Sequence, residues 1–151
     1  MIDRIQAKML ATGRTGCYYL CAADVAECFL GRAVDPIEAF SFLVNKGAMN
    51  DECYMRYPDK VMELFTGLKW KVIKAGPGHP LPLNYQCRGL EWEVLRYERP
   101  KLKDMSDDDC VHFIRGDGTG LPLPGGDPMG ASQVVAQGKL VSKRIFRQVI
   151  G

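Results

Sequence analysis

The chain has 151 residues, 46% hydrophobic and 25% charged, with a formal net charge of +2. That is long enough for one domain, residues 1–151, to bury a core without staples, and the composition is that of an ordinary globular chain. So small a charge argues for neither a nucleic-acid nor a membrane partner, and no stretch approaches the length of a membrane-spanning helix.

Residues 2–11, "IDRIQAKMLA", place Ile2, Ile5, Met9 and Leu10 on one face of a short helix. Gly13 and Gly16 then loosen the chain before a helix expected over 17–31, with Thr15 as its N-cap and Gly31 as its stop. Apolar on most sides, this helix is expected to be buried in the middle of the fold. "VDPIEAFSFLVNKG" signals another helix, with Asp35 as N-cap, Pro36 at the first helical position, Glu38 three residues past the cap and Gly47 at the end. "YPDKVMELFTG" adds a shorter one that Gly67 ends.

Beyond Gly67 the pattern changes period. "LKWKVIKAG" (68–76) and "LEWEVLRYE" (90–98) alternate as half-buried strands do, joined by a Pro/Gly-rich connection that holds His79. Trp70 and Trp92 on these strands read as core or cross-strand partners. After the acidic loop "KDMSDDD" comes the strand "CVHFIRGD", a hairpin turn at Asp117-Gly118 and an irregular edge, "LPLPGGDP". A last strand covers Lys139 to Ile150. Its basic residues Lys143, Arg144 and Arg147 alternate with apolar ones and read as a solvated strand face rather than a phosphate track. "GDGTG" lacks the following helix and the lysine-serine ending of a phosphate loop. Helices first and antiparallel strands after define an α+β domain.

Without a secretory h-region near its start, the chain is expected in the cytoplasm, where its six cysteines stay reduced. Cys17 falls at the start of the expected central helix, where unpaired N–H groups and the helix dipole favour a thiolate and can face an oxyanion. Cys21 and Cys28 fall inside it. A thiolate needs a base, and the chain offers two histidines. His79 lies in a loop; His112 lies on a strand, its side chain opposite to those of Val111 and Phe113. Asp127 follows in "GGDPMGAS", placed to lie beside His112 and fix its tautomer. The chemical rival is tetrahedral zinc held by Cys17, Cys21, Cys110 and His112, which lacks the usual C-x-x-C knuckle. No cofactor and no metal is expected.

Cys17 in "TGCYYLC", His112 in "VHFIRGDG" and Asp127 in "GGDPMGAS" resemble the triad of papain-like cysteine peptidases, in particular their C39-like, bacteriocin-processing branch. The wider pattern "GCYYLCAAD", "NKGAMNDECYMRYPDKV" and "HFIRGDG…DPMGAS…GKLVSKRIF" is similar to an uncharacterised family of small phage and prophage proteins. The resemblance implies a papain-like fold, a central helix on an antiparallel sheet. It implies a thiol-dependent hydrolase of a peptide, isopeptide or other amide bond, with a peptide or protein as substrate or partner, in a bacterial host if phage-encoded. The chain departs from papain-like enzymes where they place a glutamine about six residues before the nucleophile: that position is Ala11. Gln6, Thr12, Arg14 or backbone N–H groups would have to replace it. The alternative is a non-catalytic binding or accessory protein that keeps the fold.

Overall fold

The computed structural model describes residues 13–106 and 110–150, with side chains from residue 16 onward. The expected helix over 2–11, with Gln6, Ala11 and Thr12, lies outside the described residues, as does the acidic run Asp107 to Asp109.

Helix α1 (Gly13–Leu30) is the central element, and Tyr19, Leu20, Cys21, Ala22, Val25 and Ala26 are fully enclosed. Burial on nearly every side is why its sequence shows little amphipathic contrast. It is already helical at Gly13, four residues earlier than the expected start, so Thr15 is an interior residue and not the cap. Each interior glycine costs about 1 kcal/mol of helix propensity, a local preference that tertiary packing overrides. Gly31, at φ +70°, ends the helix as expected.

Helix α2 (Pro36–Asn45) starts as its sequence indicates: Asp35 Oδ1 accepts the N–H groups of Ile37 and Glu38 at 2.9 and 3.2 Å. Helix α3 (Pro58–Thr66) ends in left-handed Gly67, whose N–H donates to the Glu63 carbonyl at 2.7 Å. The Tyr19 hydroxyl reaches the Pro36 carbonyl at 2.6 Å and pins α2 to the central helix.

Strands β1 (Trp70–Ala75), β2 (Glu91–Glu98), β3 (Val111–Arg115) and β4 (Lys139–Gln148) form one antiparallel sheet in the order β1-β4-β2-β3. The protein is therefore α+β. The chain from 116 to 122 is a longer loop than a two-residue turn, closed by a Gly116–Pro122 bridge and the Asp117 N–H on the Leu121 carbonyl at 2.8 Å. Leu123 and Gly126 then exchange hydrogen bonds of 2.9 Å with Arg115 along the outer side of β3, so the irregular segment covers that edge. The five-residue helix α4 (Gln133–Gln137) is too short for periodicity to signal; the Ser132 hydroxyl caps it by accepting the Val134 N–H at 3.1 Å.

The sheet has two differently covered faces. Tyr18 of α1 stacks on Phe113 at 4.6 Å and meets Phe146 edge-on at 6.2 Å, while Phe29 packs on Trp70 and Trp92 at 5.1 and 5.7 Å. The tryptophans are core residues, as their strands indicate. On the other face Leu95, Tyr97 and Ile114 pack against Val134 of α4.

Candidate active site

Two of the three expected site residues are in direct contact. His112 Nε2 and Asp127 Oδ1 are 2.7 Å apart, with the imidazole only 4% exposed. Asp127 leaves the covering segment of β3 just past Gly126 and is fixed independently: its two oxygens accept the N–H groups of Met129 and Ser132 at 2.9 and 3.0 Å. Burial pushes its pKa up, but the hydrogen bond and charge of His112 together with the two backbone N–H groups outweigh that. The carboxyl is held below its ordinary value. A charged Asp127 on Nε2 sets the orientation of the ring and leaves Nδ1 as the nitrogen able to exchange a proton.

Cys17 is placed differently from the expectation. It lies inside α1, 2% exposed, in the core that also contains Val111 and Phe113. Its backbone N–H and that of Tyr18 fall within the helical ladder, because the helix begins at Gly13, so neither is available to an oxyanion. The dipole also fades beyond the first turn. Phe113 and Arg115 both turn toward α1, the latter through a 2.7 Å bond from Nη1 to Asp24 Oδ2. Strand alternation therefore turns His112 to the other face, with Ile114.

The remaining cysteines divide by burial. None of the six forms a disulfide. Burial first, then Cys17, Asp24 and Asp127, push the Cys21 thiol well up against the opposing effect of Arg115, so Cys21 is a neutral core thiol. Burial also raises the Cys87 thiol to about 12, helped by Glu93 and Glu91. Cys110 donates to the Ser106 carbonyl at 3.3 Å. Among the described residues no group of three His, Cys, Asp or Glu side chains is placed to hold a metal ion, so the Cys17, Cys21, Cys110 and His112 set is not assembled as a zinc site. His79 is exposed in its loop, as expected.

The basic cluster of the last strand is not a solvated face. Lys143 is 1% exposed and its Nζ meets Glu93 Oε1 at 2.8 Å and the Tyr85 carbonyl at 2.8 Å. Glu93 Oε2 accepts the N–H groups of Gly118 and Gly120 at 2.9 Å each. "GDGTG" is thus an anion cradle filled by the protein's own carboxylate. A Cβ on Gly116 would lie 2.4 Å from Glu93 Oε2, which explains that glycine. Arg147 pairs with Glu91 at 2.7 Å, and Arg144 lies over the Tyr18 and Phe113 rings at 6.0 and 5.6 Å. The signal for this in the sequence is the pair of glutamates two apart in "EWE", one face of a strand, answered by Lys143 and Arg147 four apart in β4.

Among the described residues no helix is long and apolar enough to cross a membrane. No curated protein and no solved structure matches the chain. One family model, "Protein of unknown function, DUF261", matches residues 5–148. Since that match takes in all four strands and every described helix, the chain belongs to the DUF261 family.

Proposed function

We propose that the protein is a thiol-dependent hydrolase of an amide, peptide or isopeptide bond, papain-like in arrangement and needing no cofactor. The observation that supports this reading is the buried His112–Asp127 pair with its carboxyl held charged. A histidine fixed in this way is suited to general acid–base work, which contributes about 10²–10⁴ in rate. In the cycle, His112 Nδ1 takes the Cys17 thiol proton and the sulfur attacks the substrate carbonyl carbon. The C–N bond breaks as His112 returns the proton to the leaving amine. A water deprotonated by His112 then attacks the thioester, releasing the acid and restoring the thiol. With the Cys17 and Tyr18 N–H groups engaged in the helix, this reading requires another oxyanion donor. The substrate is a peptide or protein in a bacterial cytoplasm, the protein itself being phage-encoded.

A second reading is a papain-like binding or accessory protein without turnover, favoured by the burial of Cys17 and by the turn of His112 away from the α1 face. The rate of Cys17 alkylation by iodoacetamide against pH separates the two. The hydrolase requires an apparent pKa well below the free-cysteine value of about 8.5, raised by at least about one unit in His112→Ala. A Cys17 that reacts only after unfolding overturns the hydrolase and favours the binding protein instead.

A further inference from the structure

Arg144 has a setting unlike that of the other arginines of the sheet. Arg147, Lys143, Arg96 and Arg115 are each paired with a carboxylate, at 2.7 to 2.9 Å. No carboxylate among the described residues pairs with Arg144. Its Nη1 donates to the Ser142 hydroxyl at 2.9 Å and to the Lys143 carbonyl at 3.3 Å, and its guanidinium lies over the stacked Tyr18 and Phe113 rings. The side chain is half-buried. Burial lowers its pKa, the charge and the side-chain hydrogen bond of Tyr18 raise it, and the nearby charge of Arg96 lowers it further. Desolvating a guanidinium without a counter-ion is costly, and a positioned, weakly hydrated guanidinium is well suited to bind an anion.

The two rings that hold Arg144 are the chain neighbours of the proposed nucleophile and base: Tyr18 follows Cys17 and Phe113 follows His112. We infer that Arg144 is a specificity residue that binds a carboxylate of the substrate close to the scissile amide. The placement next to the chemistry rests on the proposed hydrolase reading; the anion site itself does not. One guanidinium, with Arg96 already neutralised by Glu98 at 2.9 Å, matches a single planar negative charge rather than a phosphate dianion. The substrate class is thus an acidic peptide, with either a side-chain or a terminal carboxylate.

The test uses the intact protein and three small probes: N-acetylglutamine, with only an α-carboxylate; N-acetylglutamate α-amide, with only a side-chain carboxylate; and N-acetylglutamine amide, with none. The readout is the Arg144 Nε–H resonance, assigned with Arg144→Lys. The proposal requires a saturable, salt-sensitive shift with at least one acidic probe and none with the neutral one, and the responding probe tells which carboxylate is recognised. Equal response to all three, or to none, overturns it.

Placement is read from Cys17 alkylation by anionic iodoacetate relative to neutral iodoacetamide. The ratio is expected to fall about fivefold to tenfold in Arg144→Gln, the effect of removing one charge near the sulfur. An unchanged ratio with carboxylate binding intact overturns the placement beside Cys17. Carboxylate binding with a Cys17 inert to both reagents overturns the hydrolase reading and leaves the anion site standing.

Discussion

The two faces of the sheet solve the same problem with opposite chemistry. The face toward α1 is closed by rings and aliphatic side chains: Phe113, Phe146, Trp70 and Trp92 against Tyr18 and Phe29. The face toward the loops and α4 is closed by ion pairs, Arg147–Glu91, Lys143–Glu93 and His112–Asp127, with a small apolar cluster beside them. A helix can cover a strand surface with side chains alone because its backbone polar groups are satisfied internally. Loops bring unpaired N–H and C=O groups with them, and a buried loop is stable only if the sheet offers partners. Glu93 and Lys143 are those partners, answering Gly118, Gly120 and Tyr85. The buried charges are therefore what holds the loops, and the loops are what place Asp127 against His112.

The contrast can be broken most sharply at Glu93 and Val94, adjacent in the chain and on opposite faces. Glu93→Gln leaves the Lys143 charge buried and unpaired, and is expected to cost about 3–5 kcal/mol by urea denaturation. Glu93→Leu combined with Lys143→Met removes both charges and recovers only part of this, because the Gly118 and Gly120 N–H groups keep no acceptor. Full recovery in the double variant would mean that the loop does not depend on the carboxylate. Val94→Ala deletes two buried methyl groups from the apolar face, at about 0.8 kcal/mol per carbon plus a cavity, or roughly 2–3 kcal/mol in all. A larger loss at Val94 than at Glu93 would reverse the ranking of the two faces.

A smaller effect is expected at the His112–Asp127 pair, and its signature is a dependence on pH. The folded-state pKa of Asp127 is depressed, so its contribution to stability is complete above the unfolded carboxyl value of about 3.9 and is lost as pH falls through the folded value. Asp127→Asn is expected to cost about 1.5–3 kcal/mol at neutral pH, the range for a hydrogen bond to a charged group, and to flatten the acid limb of the stability profile. An unchanged acid limb would show that the carboxyl is not charged in the fold.

Much of this was legible in the residues. Asp35 with Pro36 marks the start of α2, and left-handed Gly67 the end of α3, because caps and φ > 0 positions are local requirements. Strand alternation announces Trp70 and Trp92 as core and His112 as opposite to Phe113. The start of α1 was less legible: Gly13 and Gly16 signal loose chain, yet enclosure of the helix by the sheet carries it through both. Lys143 looks like surface because every lysine does until a partner is found, and its carboxylate, Glu93, lies on another strand.

The sequence by itself determined the elements whose causes lie within a turn or two of the chain: the caps, the glycine stops, the change from helical to alternating period, and the pairing of a strand histidine with a later aspartate as a candidate. Tertiary structure alone decided what depends on which residues face one another across the sheet. It placed Glu93 under the glycine loop and left Arg144 over two rings without a carboxylate. It also set Cys17 inside a buried helix. Local chemistry is written in neighbouring residues, whereas burial and ion pairing depend on register and layer, which only long-range packing fixes.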